Sequence, residues 1–190
     1  MELPSNAPGC RAHARRAKTR RCSGARAMSN QFLASLFEYK AWANRALYDA
    51  LLAAPAGEHP LEMATITITL DHVSVVDQLF KARIAGAPEP FAGVISPQTP
   101  SLADLRETVA KTDAWYVDYV GAAPQATLDE VLDFTFTDGD PGRMSRAQML
   151  GHVLTHGNSH RGAVGSRLGA IAIKGVPDML TSYLSRNRGA

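Results

Sequence analysis

Apolar residues recur at helical spacing in four separate windows of the chain, and each window is closed by recognisable punctuation. In the first, Leu36, Ala43, Leu47 and Leu51 keep a 3.6-residue period. Ser29 is placed to cap it, and Pro55 with Gly57 ends it, predicting a helix from Ser29 to about Ala54. The second runs from near Met63 to Gly86. Its run Thr65 to Thr69 carries the β-branched residues of a strand. The period set by Ile68, His72, Val75 or Val76, Leu79 and Arg83 nevertheless continues through it, so helix is expected, with Gly86, Pro88 and Pro90 behind it. The third opens at Ser101 and presents Leu102, Leu105, Val109, Tyr116 and Val120 inward, stopping near Gly121 and Pro124. The fourth, Ser145 to Leu168, has Ser145 as its cap and no internal proline.

Between these windows the pattern changes. Residues 87–100 are proline-rich and read as a loop. Val131 to Phe136 alternates like a strand, and the TDGDPG turn behind it predicts a hairpin leading into the fourth helix. A short helix, Asp178 to Asn187, follows Pro177. The predicted class is all-α: four long helices with a short β-hairpin before the last of them.

Histidines interrupt the apolar stripes. The fourth helix carries His152, His156 and His160 at intervals of four, so neighbouring rings share a face. Stepping 100° per residue puts His156 and His160 in one band with Met149, Val153 and Val164. His152 falls about 60° to one side of that band. His72 occupies the equivalent place on the second helix. In a four-helix bundle, metal sites are built from side chains of facing helices. Three neutral imidazoles suit Zn²⁺, Ni²⁺, Fe²⁺ or Cu²⁺ and leave a coordination position for water or substrate. Spacing alone leaves the alternative open that these are three separate core histidines, each satisfied by its own hydrogen bond.

Composition narrows the classes. At 190 residues the chain suits one domain, and 45% hydrophobic with 20% charged residues is ordinary for a globular protein. No apolar run is long enough to span a membrane. The net charge of +2 is unevenly spread: residues 1–27 hold Arg11, Arg15, Arg16, Lys18, Arg20, Arg21 and Arg26 against Glu2 alone, leaving the rest mildly acidic. No basic face for nucleic acid is expected on the folded part. Both cysteines, Cys10 and Cys22, lie in that basic stretch, so the remainder has no disulfide framework and no cysteine-ligated zinc, which fits a cytoplasmic location. Met28 opens a stretch resembling a natural start. Residues 1–27 are expected to be a disordered extension and residues 28–190 the folded domain.

Three strings together carry a family resemblance. They are Tyr39-x-x-Trp42-Ala43-Asn44; Leu70-x-His72 followed by Arg83-Ile84-x-Gly86; and His152-x-x-x-His156-x-x-x-His160-Arg161-Gly162. In order and spacing over residues 29–186 the chain resembles the DinB/YfiT-like family of damage-inducible four-helix metalloenzymes, which is distinct from the translesion polymerase of similar name. The resemblance implies an up-down-down-up four-helix bundle, commonly a homodimer, with His72, His156 and His160 as ligands of a divalent metal. His152 matches a frequent non-ligand position near the site. Relatives act on small molecules with low-molecular-weight thiols such as bacillithiol or mycothiol. Two positions depart from the pattern: Ala163 stands where Gln is usual, and Phe80 where Trp is common.

The chemistry that follows is that of a metal-dependent enzyme, a thiol S-transferase or isomerase or else a hydrolase, with zinc, nickel or iron in the site. The competing readings are a non-catalytic metal- or ligand-binding stress-response protein and a plain helical module. Tyr39, Asn44 and His152 are the candidates for residues that orient the ligands. Asp71 and Asp77 are expected to be solvated helix-surface residues.

Overall fold

The computed structural model describes residues 23–55, 57–174 and 178–186. Residues 1–22 of the expected extension, with both cysteines, and Pro177 and Asn187 at the expected terminal helix lie outside the described residues. Among these residues the chain forms six helices and one two-stranded antiparallel sheet. The order is α1 (Ser23–Leu52), α2 (Pro60–Ala85), α3 (Leu102–Ala122), α4 (Gln125–Leu128), β1 (Val131–Thr135), β2 (Pro141–Ser145), α5 (Arg146–Ala170) and α6 (Leu180–Arg186). Helix α1 passes through Ser29 rather than starting there, and it begins ahead of the expected domain boundary at Met28. The single turn α4 has no counterpart in the hydrophobic pattern.

Local chemistry accounts for most boundaries. Pro60 sits in the first turn of α2, where its missing N–H costs nothing. Gly86 closes the helix in the left-handed region at φ 66°, and its N–H caps the last carbonyls. The β-branched run is helical despite its strand propensity, with α2 packed on α5 and α3, and the Thr65, Thr67 and Thr69 hydroxyls are satisfied by donating back to the carbonyls of Leu61, Met63 and Thr65 at 2.9, 2.7 and 2.8 Å. Ser101 accepts from the Asp104 N–H at the start of α3. Ser145 and Gln148 form a reciprocal capping box on α5.

Helix α1 packs on α3, and α2 packs on both α5 and α3, with α5 also touching α1. Two apolar clusters fill the interior. One gathers Phe37, Phe80, Tyr116, Met149 and Val153, with the hairpin packed against it. The other gathers Leu47, Ile66, Leu70, Val109, Val164 and Leu168. The hairpin is locked to α2 by Arg83, whose guanidinium lies over the rings of Phe134 and Phe136 and donates to the Thr135 carbonyl.

The helical faces differ from the expected ones in one respect. On α5 the most enclosed line is Met149, Leu150, Val153, Gly157, Arg161, Val164 and Leu168. His156 and His160 lie on its flank and are half-buried. On α2, Ile68 is 51% exposed, whereas Asp71 and Asp77 are 1% and 2% exposed. The expectation that those two aspartates are solvated is therefore overturned. Each is buried because it has a hydrogen-bonding or charged partner inside the molecule.

Candidate metal centre

Helices α2 and α5 lie side by side, which brings His72 against His156 and His160. The ring centroids are 5.0 Å apart for His72–His156, 5.0 Å for His72–His160 and 4.5 Å for His156–His160. One nitrogen from each ring can be chosen so that all three lie within 4.8 Å of one another. A four-residue step on α5 supplies two of them, and only the packing of α2 supplies the third.

The protonation pattern follows from one contact. His72 Nδ1 lies 2.9 Å from the Val94 carbonyl, which can only accept. The proton of neutral His72 therefore sits on Nδ1, and the Nε2 lone pair faces His156 Nε2 at 3.1 Å. If His156 carries its proton on Nδ1, two lone pairs confront each other. If it carries the proton on Nε2, its buried Nδ1 lone pair has no partner among the described residues. A cation that accepts both Nε2 lone pairs removes the first of these conflicts, so the donor set fits a divalent transition metal, with His156 Nδ1 buried and without a hydrogen-bond partner among the described residues.

Electrostatics keeps the imidazoles in the ligating form. Burial, aided by His160 and His72, pushes His156 down to about 4. Burial and the proximity of His72 also lower His160. Both rings are thus neutral at neutral pH and can coordinate without first losing a proton.

The other expected site residues lie elsewhere. His152 stacks on His156 at 5.3 Å and on Phe80 at 4.6 Å, outside the group of three. Tyr39 donates its hydroxyl to the Asp178 carboxylate, and Asn44 donates to Asp113 at 2.8 Å, so neither side chain reaches an imidazole by hydrogen bonding. Both belong to a polar network through the interior that the pattern of apolar positions did not reveal. In it Lys40 Nζ pairs with Asp77 at 2.8 Å and Asp113 at 2.5 Å, while Arg161 bonds Asp178 at 2.8 Å and Asn44 at 3.4 Å. Burial opposes the charge on Lys40, but Asp77 and Asp113 outweigh it and raise its pKa. A signal was present: Lys40 and Asp113 fall on otherwise buried lines, Phe37-Lys40-Asn44-Leu47 and Val109-Asp113-Tyr116-Val120. Opposite charges at inward positions of two helices point to an internal ion pair. Ala163, where a Gln is usual in the motif, is exposed on α5.

Long helices that converge three imidazoles on one point, with no cysteine among the described residues outside the basic extension, define a helical protein with a histidine-only cluster able to hold a metal ion. The chain belongs to the DinB family, whose family model matches residues 28–170. No curated protein matches it by sequence. Among the described residues, no helix is long and apolar enough to cross a membrane.

Proposed function

We propose that this DinB-family protein is a metal-dependent enzyme that joins a low-molecular-weight thiol to a small-molecule substrate, or isomerises one, at the His72–His156–His160 site. The observation that carries the reading is the convergence of three imidazole nitrogens within 4.8 Å on the flank of the helical core. When bound, a divalent cation supplies Lewis acidity that lowers the pKa of a coordinated water or thiol. The protein's own share is positional. The Val94 carbonyl fixes the His72 tautomer, His152, itself against Phe80, backs the His156 ring, and half-burial leaves one side of the group open to a ligand. Three protein ligands leave a position for substrate, whereas a structural zinc is normally closed by a fourth.

The same proposal includes the up-down-down-up order of the four long helices, a cytoplasmic setting, and assembly as a homodimer. Sedimentation at micromolar concentration should give twice the 20.4 kDa chain mass; a single species at that mass would remove the dimer from the proposal.

The test is metal analysis of protein purified without a histidine tag, followed by screening with bacillithiol and mycothiol against electrophilic small molecules. The reading requires a stoichiometric transition metal and thiol consumption that disappears in His156→Ala. Stoichiometric metal with no turnover would instead establish a metal-binding protein without catalysis. A metal-free protein that takes up none of Zn²⁺, Ni²⁺ or Fe²⁺ sinks both.

A further inference from the structure

Asp71 and His72 are successive residues of α2, and both grip the same short piece of the loop between α2 and α3. The Asp71 carboxylate accepts the Ser96 N–H at 2.9 Å through one oxygen and the Ser96 hydroxyl at 2.7 Å through the other. Two residues earlier in that loop, the Val94 carbonyl accepts the His72 Nδ1–H at 2.9 Å. Successive helical positions point about 100° apart, so the two grips meet the loop from different directions.

The carboxylate is otherwise an anomaly. Asp71 is 1% exposed and has no ion-pair partner among the described residues. A buried carboxylate is costly unless its oxygens are satisfied, and an apolar residue at this turn of the helix would avoid that cost. Both oxygens go to one residue, Ser96. The apolar side chains nearby do not hold the loop down, since Val94 is 43% and Ile95 53% exposed. The position of the Val94 carbonyl over His72 therefore depends on polar contacts, and the strongest of these is the pair of bonds to a charged acceptor.

We propose that Asp71, acting through Ser96, is a positioning residue for the metal site: it pins the loop so that the Val94 carbonyl fixes the tautomer and orientation of the His72 ring. The inference rests on the metal reading given above for its consequence, but not for its first step, which concerns the metal-free ring. Residues that orient a ligating histidine typically change metal affinity by about 10–100-fold when removed.

The test uses the full-length chain and four variants: Asp71→Asn, Asp71→Ala, Ser96→Ala and Ser96→Thr. Histidine nitrogen NMR of the metal-free protein reads the His72 tautomer, and competition with a chelator reads Zn²⁺ affinity. Wild type and Ser96→Thr, which keeps both donors, should show one Nδ1–H tautomer for His72. Asp71→Ala, which removes both bonds, should show a mixture and bind Zn²⁺ about 10-fold or more weakly. Ser96→Ala keeps the backbone N–H bond to Asp71 and Asp71→Asn keeps one acceptor oxygen, so both should fall between wild type and Asp71→Ala. If Asp71→Ala does not fold, Ser96→Ala and Asp71→Asn carry the test. A His72 ring that stays wholly in one tautomer in Asp71→Ala (or, if that variant does not fold, in both Ser96→Ala and Asp71→Asn), or an unchanged Zn²⁺ affinity when the ring is freed, overturns the proposal. Wild type that binds no Zn²⁺, while Ser96→Ala still frees the ring, removes the metal reading and leaves the clamp standing.

Discussion

Lys40 Nζ lies 2.8 Å from Asp77 Oδ2, and the two side chains are 1% and 2% exposed. With Asp113 also against the ammonium, a charged group from each of α1, α2 and α3 meets inside the helical core. Such a group contributes little net stability as a whole, because desolvation offsets attraction. Breaking it is another matter. Lys40→Met leaves two carboxylates facing each other without a cation and should cost about 3–5 kcal/mol in urea unfolding. A loss below about 1 kcal/mol would mean that water or neighbouring groups neutralise the aspartates.

The three imidazoles and His152 should separate cleanly on substitution. Alanine at His72, His156 or His160 removes one of the three converging nitrogens and should strip most of the metal during dialysis against a weak chelator. His152→Ala removes a ring that only stacks on His156, so its metal content should stay near that of wild type. Metal retained by His156→Ala but lost by His152→Ala would show that the wrong nitrogens have been assigned.

Alkaline pH should destabilise the protein through its interior tyrosines. Tyr116 is 0% exposed and donates to the Asp77 carbonyl at 2.7 Å. Burial, reinforced by Asp77 and Asp113, raises its pKa well above the ordinary value, and burial likewise raises Tyr48. The unfolded chain loses these protons near pH ~10 while the folded chain keeps them. Their contribution is therefore intact below that pH and declines as pH rises beyond it. Tyr116→Phe should flatten the decline and cost about 0.5–1.5 kcal/mol at neutral pH for the lost hydrogen bond. The reverse slope, with stability rising above pH ~10, would refute the assignment.

Gly142 pairs with Phe134 across the hairpin, and a Cβ at Gly142 would overlap the Phe134 ring. The ring has little freedom to retreat, since it is packed between Phe80, Phe136 and the Arg83 guanidinium. Gly142→Val should therefore destabilise by about 1–3 kcal/mol, in the range of other overpacked sites. Unchanged thermal unfolding would show that the hairpin is free to lift from α2.

Much of the architecture was legible because it is written in local physics. The four long helices follow from a 3.6-residue period, and the caps at Ser101 and Ser145 from side chains that bond within three residues. The hairpin follows from alternation and a glycine-containing turn. The proximity of His156 and His160 needs only one turn of helix, and the place of His72 beside them was implied by family resemblance before packing brought it there.

What the sequence by itself determined, then, is the four long helices, the hairpin and the adjacency of His156 and His160. Tertiary structure decided which charges go inside and with which partners. Lys40 and Asp113 are 73 residues apart, Asn44 and Arg161 are 117 apart, and Asp71 reaches Ser96 across 25. A charged side chain is enclosed only when its partner arrives from another element, and a rule that reads one helix at a time assigns it to solvent. That same rule placed His156 and His160 at the centre of the α5 stripe. Arg161, held by Asp178 and Asn44, occupies that inner line instead, and the histidines are turned to the flank where His72 of α2 meets them.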